Sequence, residues 1–445
     1  MSPTSVHKRP LAVDMLNTGM VGGAAVAAAR LHEGLLAKGI DSRLWNKPAR
    51  RPDDEQESSS RPLNLELPLS WRAQFDAARS KLRDKRELRG RSPSLELFTT
   101  PWRSHPTPID ASTLSGDLFH LHWVNRWLDW TSFFGSIAND FPVVWTLHDM
   151  NPITGGCHHA DGCDAFQRGC GNCPQLAMGK RAPNDISKRG FDVKYHSYAG
   201  KNLHIATPSR WLQRHAENSG LVQQATVQTI YNGVDLTEFR PLDKQRARQE
   251  LGLPNDRTII GFGAASLSNP RKGMQEFFRA VSKLSAPAEV LCLGFGDHSK
   301  APSFHQLPEV HTTGFLTTPD QLARVYSAAD VFVMPSLGEN MPQTVVEAMA
   351  CGTPTVAFRV GGIPEIVIPG ETGMLADLGN CDQLGRGIQW MIDHPTERRQ
   401  MGQRSRELVC REFDLDVQTE KYLSLYQRAI QATDEMKSRH YARSA

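Results

Sequence analysis

Two glutamates that stand eight residues apart are the strongest candidates for chemistry in this chain. Glu339 follows a short apolar run, and Glu347 lies in a helical pattern that begins near Pro342. Eight residues of α-helix place two side chains on one face, about 12 Å apart. That separation exceeds the carboxylate spacing of a glycosidase. It fits two carboxylates that hold hydroxyl groups at opposite ends of one extended ligand. The pair alone is more typical of a solvated and a capping glutamate, but the ordered proline, glycine and Thr-Pro around it favour ligand binding.

A pair of cations could neutralise a diphosphate in such a ligand. Arg271-Lys272-Gly273 follows a predicted strand and begins a predicted helix, where helix N-termini attract anions. A departing diphosphate gains charge as its bond breaks, so cations would stabilise it. The alternative is a solvated basic pair. Gly22-Gly23, after the first predicted strand, could let the backbone approach the same ligand closely or could simply form a tight turn.

Histidines stand near the ends of predicted strands. His148 lies in Thr146-Leu147-His148-Asp149, and His120 and His122 close the preceding strand. Ligands of α/β proteins bind beyond the carboxyl ends of parallel strands, so His148 could contact a ligand there. The alternative is a core histidine satisfied by Asp149. His122 is the weaker candidate, and we assign it to acceptor binding.

A four-cysteine cluster consists of Cys157, Cys163, Cys170 and Cys173. The Cys170-x2-Cys173 spacing suits one half of a structural zinc site, whereas the first spacing, Cys157-x5-Cys163, is longer than usual. Zinc, disulfides and reduced thiols all stay open. We favour structural zinc because a cytoplasm maintains disulfides poorly. We expect no catalytic divalent metal.

The elements that must position these residues alternate between strand and helix patterns. One alternation of strand and helix patterns covers 1–235, with an insertion over about 47–110 and a Cys-rich loop at 155–175. A second alternation covers 240–415, and 416–445 is helical in pattern. This alternation predicts the α/β class, with two doubly wound Rossmann-like domains facing across a cleft.

Charge and hydropathy restrict the class of partner. The chain has 51 basic and 48 acidic residues, a net charge of +3, which argues against a nucleic-acid partner. No apolar run approaches the roughly 18 residues of a membrane span, and without an export signal we expect a cytoplasmic protein. Residues 71–91 hold eight basic and three acidic residues. This segment could contact an anionic membrane surface or could be a solvated helix.

The motif around the two glutamates resembles the Glu-x7-Glu signature of the family 4 (GT4) retaining glycosyltransferases. The matching residues run from Gly338-Glu339-Asn340-Met341-Pro342 through Glu347 to Gly352-Thr353-Pro354, and Val360-Gly361-Gly362-Ile363-Pro364-Glu365 resembles the family's next segment. The resemblance covers most of the chain except the insertion. The Thr146–Asp149 segment with its Cys-rich loop is similar to bacterial members of colanic-acid type, which act on surface polysaccharides.

This resemblance implies the GT-B fold, with a C-terminal helix that returns to the N-terminal domain. It implies that Glu339 contacts the donor sugar near the reacting carbon, with His148 against that sugar, and that Glu347 holds the ribose hydroxyls. It assigns the remaining donor contacts to Gly22, Gly23, Lys272, Asn340, Met341 and Pro342. The family's arginine position is occupied here by Ala265-Ser266-Leu267, and we expect Arg271 to compensate for it as a further donor contact. The family often places a proline five positions after the first glutamate, whereas Pro342 is three positions after Glu339, so the sugar is not predicted.

The implied function is retaining transfer of a hexose-type sugar from a nucleotide-diphospho-sugar to a saccharide or lipid-linked saccharide acceptor. The acceptor would bind the N-terminal domain, and the role would be cell-surface polysaccharide biosynthesis in the cytoplasm or at the inner face of the membrane. Two alternatives stay open. One is a nucleotide-sugar epimerase or hydrolase of the same architecture, and the other is a zinc-bearing binding module.

Overall fold

A computed structural model describes residues 9–19, 21–47, 63–64, 71–92, 95–102, 109, 111–297 and 308–444. The chain forms two compact units. The first comprises the residues up to Pro208, Leu212–Ile230 and those from Thr419 onward. The second comprises Ser209–Trp211 and Tyr231–Gln418.

The first unit is built on a seven-stranded parallel sheet with the strand order β3-β2-β1-β4-β5-β6-β7. Because β1 has β2 on one side and β4 on the other, the strand order reverses at β1, and this is where α/β sheets bind ligands. The strands are β1 (Ala12–Asn17), β2 (Asp41–Asn46), β3 (Leu63–Asn64), β4 (Leu118–Leu121), β5 (Val143–Thr146), β6 (Leu203–Thr207) and β7 (Thr226–Thr229).

Helices follow most of these strands, as the sequence predicts. They are α1 (Gly23–Ala37), α2 (Trp71–Glu87), α3 (Trp130–Gly135), α4 (Ile186–Tyr198) and α5 (Arg210–Glu217). The predicted insertion contributes α2 and also the edge strand β3, which pairs with β2. Residues 48–62, 65–70, 93–94, 103–108 and 110 of that insertion lie outside the described residues.

The second unit is built on a six-stranded sheet with the order β10-β9-β8-β11-β12-β13. Neighbouring residues of one strand pack into different core clusters, as Ile259 and Ile260 do, because successive side chains point to opposite faces. The strands are β8 (Thr258–Ser266), β9 (Val290–Asp297), β10 (Glu309–Thr312), β11 (Val331–Met334), β12 (Thr355–Phe358) and β13 (Gly373–Ala376). The helices are α6 (Lys244–Glu250), α7 (Met274–Val281), α8 (Pro319–Ala328), α9 (Gln343–Ala350), α10 (Cys381–Asp393) and α11 (Pro395–Glu412).

The last helix, α12 (Leu415–Ser444), packs in the first unit from Thr419 onward. Tyr422 and Tyr426 are four residues apart, so they lie on one face, and both are fully buried in the core that contains Val13 and Val144. This confirms that the C-terminal helix returns to the N-terminal domain. Within the described ranges, we find no helix with the length and apolarity to cross a membrane.

One predicted boundary differs from the structure. Residues 231–235, which the sequence analysis placed in the first domain, group with the second unit. Tyr231 stacks on Phe413 with ring centroids 4.6 Å apart, and the Val234 N–H donates to the Phe413 carbonyl oxygen at 2.9 Å. These contacts hold the segment to the end of α11, which the local sequence pattern does not indicate.

Candidate active site

The predicted donor-site segments of the second unit meet at one edge of its sheet. Strands β8 and β11 are neighbours, and the loop after each leaves at the same edge because the strands are parallel. The Lys272 ammonium donates to Glu339 Oε1 at 2.6 Å, and the Arg271 guanidinium lies 3.7 Å from the same oxygen. The fold therefore brings together the carboxylate and the two cations that the sequence singled out.

These cations determine the charge state of Glu339, which is only 8 % exposed. Burial raises the pKa of the Glu339 carboxyl, but Lys272 and Arg271 outweigh it and hold this pKa below its ordinary value. Arg271 also donates to the carbonyl oxygen of Gly338. Glu339 is therefore an ionised hydrogen-bond acceptor at neutral pH, held in a loop that both cations support.

Two glycines make the backbone packing around this ion pair possible. Gly273 has φ 69°, and a Cβ atom there would lie 1.8 Å from the Pro335 carbonyl oxygen. Gly361 has φ 58°, and a Cβ atom there would lie 1.6 Å from the carbonyl oxygen of Glu339. Only glycine fits both the left-handed conformation and the contact. The sequence analysis named Gly361 as part of a family segment but did not predict its contact with the Glu339 backbone. The pair Gly361-Gly362 could have indicated a close backbone approach at this position.

The residues after Glu339 connect the loop to α9. The Asn340 side-chain oxygen accepts a 2.6 Å hydrogen bond from the Ser209 hydroxyl. Met341 is buried in the core of the unit, and Pro342 is the N-cap of α9, one residue before the first helical position. The donor-binding roles of Asn340, Met341 and Pro342 stay predictions.

Glu347 lies within α9, as predicted, where it is buried and has a different partner from Glu339. The Tyr326 hydroxyl, which α8 provides, donates to Glu347 Oε2 at 3.0 Å. Glu347 is 4 % exposed and Tyr326 is fully buried. The hydroxyl orients this carboxylate, and the sequence offered no local signal for Tyr326.

The three histidines of the first unit that the sequence singled out form two hydrogen-bonded sets. His120 is a core residue, bound by the Tyr426 hydroxyl at 2.7 Å and by Thr146 Oγ1 at 2.8 Å. His122 Nδ1 and His148 Nε2 are 3.0 Å apart, and their rings stack. The structure thus joins the predicted acceptor residue to the predicted sugar-contacting residue.

Burial keeps these imidazoles neutral at physiological pH. It lowers the pKa of His120 to about 3 and that of His148 to about 4, and it holds the pKa of His122 well below its ordinary value. His148 can therefore offer a ligand a hydrogen bond, but it carries no positive charge near neutral pH. Its hydrogen-bond partner is His122, whereas the Asp149 carboxylate accepts from Trp123 Nε1 at 2.9 Å.

The glycine pair of the first unit begins α1. Gly22 is the N-cap with φ 99°, a conformation that favours glycine. No described heavy atom lies within 4 Å of a Cβ atom built at Gly22 or Gly23. The backbone conformation therefore accounts for Gly22, and the space beside Gly23 is open. Met20, in the same loop, lies outside the described residues.

The four cysteines of the Cys-rich loop are free thiols. They interact electrostatically, Cys157 with Cys170 and Cys173, and Cys170 with Cys163. Burial raises the pKa of Cys157 and of Cys170 to about 12. Among the side chains that the structure describes, no three His, Cys, Asp or Glu residues are arranged to hold a metal ion. Structural zinc at Cys157, Cys163, Cys170 and Cys173 therefore stays a prediction.

This loop also supports the segment that contains His148. His158 Nδ1 lies 2.6 Å from Asp149 Oδ2, next along the chain from His148. The Lys194 ammonium is fully buried and donates to the Thr154 carbonyl oxygen at 2.9 Å. Burial lowers the pKa of Lys194 to about 7. The loop is thus hydrogen-bonded to the end of β5.

Comparison with known proteins places this arrangement in one family. Residues 257–394, which include the ion pair and α9, match the family described as Glycosyl transferases group 1. D-inositol 3-phosphate glycosyltransferase of Mycobacterium leprae (strain Br4923) is 33 % identical over 334 residues, which cover 71 % of this chain and 69 % of that protein. N-acetyl-alpha-D-glucosaminyl L-malate synthase of Bacillus anthracis is 30 % identical over 207 residues, 45 % of this chain and 53 % of that protein. The chain spans about half the length of the first curated relatives it matches.

Solved structures share the whole fold at low identity. Sucrose-phosphate synthase of Thermosynechococcus elongatus aligns with a TM-score of 0.65 and 19 % identity, covering 95 % of this chain and 100 % of that one. HepE of Anabaena, in complex with UDP-glucose, aligns with a TM-score of 0.60 and 18 % identity, covering 94 % and 100 %. The two parallel-sheet units therefore define an α/β protein of the GT-B fold. The chain belongs to the group 1 glycosyltransferases.

Proposed function

We propose that this chain is a retaining glycosyltransferase that uses a nucleotide-diphospho-sugar donor. The ion pair between Lys272 and Glu339 carries the proposal, because it combines a diphosphate-binding cation and a sugar-binding carboxylate at neighbouring strand ends. The HepE structures in complex with UDP and glucose and with UDP-glucose support a donor of this class.

The proposed acceptor is a saccharide or lipid-linked saccharide, and the proposed role is cell-surface polysaccharide biosynthesis at the cytoplasmic face of the membrane. The names of two relatives, a D-inositol 3-phosphate glycosyltransferase and an N-acetyl-alpha-D-glucosaminyl L-malate synthase, indicate small acceptors for those proteins. An acceptor panel should therefore include saccharides, inositol phosphate and malate.

In the proposed reaction, the bond between the anomeric carbon and the β-phosphate oxygen breaks, and a bond to the acceptor oxygen forms on the same face. The acceptor proton passes to the leaving phosphate oxygen. Lys272 and Arg271 neutralise the charge that grows on the diphosphate, and this requires cations already in place. Glu339 binds the sugar hydroxyls, and Glu347, oriented by Tyr326, binds the ribose.

The first unit contributes the remaining proposed contacts. Neutral His148 donates or accepts a hydrogen bond at the donor sugar, and His122 orients it and faces the acceptor. The N-terminus of α1 at Gly22 and Gly23 offers backbone N–H groups to an anionic ligand. The side-chain cations supply the electrostatic stabilisation, so the proposed mechanism uses no catalytic metal.

A donor panel tests the proposal directly. We expect one nucleotide-sugar class to raise the melting temperature by mass action and to support transfer to an acceptor. Lys272→Met should lower kcat/KM roughly 10- to 100-fold, because a hydrogen bond to a charged group contributes about 1.5–3 kcal/mol. Lys283→Met is the matched control, since Lys283 pairs with exposed Asp382 in the same unit.

The outcomes separate the proposal from its rivals. Equal kcat/KM values for Lys272→Met and wild type would remove Lys272 from the site. Glu339→Ala should lower kcat more than it raises KM for the donor, and unchanged turnover would rule out an essential role for Glu339. Release of free sugar or of an epimer without acceptor would favour the hydrolase or epimerase.

A further inference from the structure

Helix α2 presents a row of large apolar side chains to solvent. Trp71, Phe75 and Leu82 are 72 %, 58 % and 69 % exposed. Their spacings of four and seven residues place all three on one side of the helix. Exposure of three large apolar side chains to water is unfavourable. An exposed apolar row of this kind is typical of a surface that binds a partner.

The opposite side of α2 holds the helix in a fixed orientation. Ala77 is buried, and the Asp84 carboxylate accepts hydrogen bonds from Thr100 Oγ1 at 2.8 Å and Trp102 Nε1 at 2.7 Å. The Arg83 guanidinium lies 3.8 Å from the centre of the Trp102 ring. The apolar row is therefore directed outward by contacts with the rest of the first unit.

The helix end is attached to the Cys-rich loop. Arg91 Nε donates to the Gln175 carbonyl oxygen at 2.8 Å, and the Arg189 guanidinium of α4 lies 3.5 Å from the Glu87 carboxylate. Leu88 packs against a small core that contains Cys173. These contacts keep the C-terminal end of α2 on the surface of the first unit.

Exposed cations flank the apolar row. Arg79 and Arg86 project beside Phe75 and Leu82 in the helical projection, and Lys85 and Arg89 are exposed on its other side and at its end. Of the acids, Asp84 is turned toward Thr100 and Trp102. Glu87 pairs with Arg86 at 3.2 Å and with Arg189 at 3.5 Å, and Asp76 is exposed beside the row. The outward face of α2, defined by Trp71, Phe75, Arg79, Leu82 and Arg86, therefore combines apolar bulk with positive charge.

We propose that the outward face of α2 binds the surface of a membrane that contains anionic phospholipids. Phe75 and Leu82 enter the interface between headgroups and acyl chains, while Arg79 and Arg86 contact lipid phosphates. Interfacial helices combine an apolar stripe and flanking cations in this way. A nucleic acid would use the cations but would leave Leu82 in water, so it fits the face less well.

Vesicle co-sedimentation of the full chain tests the proposal without reference to its catalytic activity. The wild type should bind phosphatidylcholine vesicles that contain phosphatidylglycerol and should not bind phosphatidylcholine alone. Phe75→Ser with Leu82→Ser, and separately Arg79→Glu with Arg86→Glu, should each weaken binding about tenfold or more. Arg399→Glu with Lys421→Glu reverses two exposed charges elsewhere and should bind as wild type does.

Each variant should keep the wild-type melting temperature, because the substituted side chains are exposed. Loss of binding in both α2 variants, with binding retained in the control, supports the proposal. Failure of the wild type to bind the anionic vesicles overturns it. So does wild-type binding by the Phe75→Ser, Leu82→Ser variant, since purely electrostatic adsorption would not need the apolar row. Binding to single-stranded RNA in preference to the vesicles overturns it as well.

Discussion

Lys272 Nζ lies 2.6 Å from Glu339 Oε1, although the two residues are 67 positions apart in the chain. One follows β8 and the other follows β11, and the adjacency of these parallel strands creates the contact. The pair keeps Glu339 ionised despite its burial. A bound diphosphate would compete with Glu339 for the Lys272 ammonium. Occupancy of the proposed donor site would therefore change the stability of the loop.

Glu339→Gln should reduce stability in a pH-dependent way. The folded pKa of Glu339 lies below its ordinary value of 4.5, so its stabilising contribution is present above about pH 4.5 and is lost as the pH falls through the folded pKa. We expect the variant to lose about 1–3 kcal/mol of unfolding free energy at neutral pH. The difference should shrink in acid, and denaturant unfolding at several pH values measures it.

Asp382→Asn is the control for this experiment. Asp382 also pairs with a lysine, Lys283, and its pKa is also lowered, but the pair is exposed. Exposed pairs contribute little, so its unfolding curves should follow those of wild type. A Glu339→Gln stability difference that stays constant down to the acid transition would show that the carboxylate is not ionised through this pair.

Gly361→Ala should destabilise the protein more than Gly370→Ala. Both glycines have positive φ, 58° and 80°, so both variants carry the left-handed penalty of about 1–2 kcal/mol. Only at Gly361 would the new Cβ meet the Glu339 carbonyl oxygen, since a Cβ at Gly370 has no described heavy atom within 4 Å. The melting temperatures of the two variants measure the additional cost.

The same pair of variants reports on the donor site. Displacement of the Glu339 backbone in Gly361→Ala should weaken donor binding, whereas Gly370→Ala should bind the donor as wild type does. Equal melting temperatures and equal donor affinities for the two variants would show that the loop accommodates the methyl group without moving Glu339.

His148→Gln should make the protein less sensitive to acid. Burial lowers the folded pKa of His148 to about 4 from 6.5, so the unfolded chain takes up a proton first as the pH falls. Stability is therefore lost between about pH 6.5 and pH 4, by at most about 1.4 kcal/mol per pH unit for one histidine. Glutamine cannot titrate, so the slope of melting temperature against pH should decrease.

His120 and His204 keep part of this acid sensitivity in the variant, because burial also lowers their pKa values, to about 3 and about 4. The exposed residue His196 provides a control for the substitution itself, and His196→Gln should keep the wild-type melting temperature at neutral pH. If His148→Gln retains the full wild-type slope, then His148 is not a half-buried imidazole with a lowered pKa.

Elemental analysis of the purified protein tests the zinc prediction. The sequence predicts one zinc per chain, and Cys170→Ser with Cys173→Ser should abolish it. Free thiols with a pKa near 12 would instead react slowly with iodoacetamide near neutral pH, since the thiolate is the nucleophile. Slow alkylation of the native protein without bound metal would contradict the zinc prediction.

Local sequence patterns determined most elements near the candidate site. Strands β11 and β12 are four-residue apolar runs between turn signals, a pattern that fits buried parallel strands. Pro342 and Gly352 delimit α9, since proline suits a helix start and Gly352 has the positive φ of a helix end. The short strand β13 has two of its four residues only partly buried, and its pattern did not distinguish it from a loop.

The tertiary structure alone decided which of these residues act together. The contact of Lys272 with Glu339, the hydroxyl of Tyr326 on Glu347 and the approach of Gly361 to the Glu339 backbone all join segments distant in the chain. Local sequence patterns indicate the hydrophobic period of a segment and the residues at which it begins and ends. They do not indicate the order of strands in a sheet, and in a parallel sheet that order determines which loops share an edge.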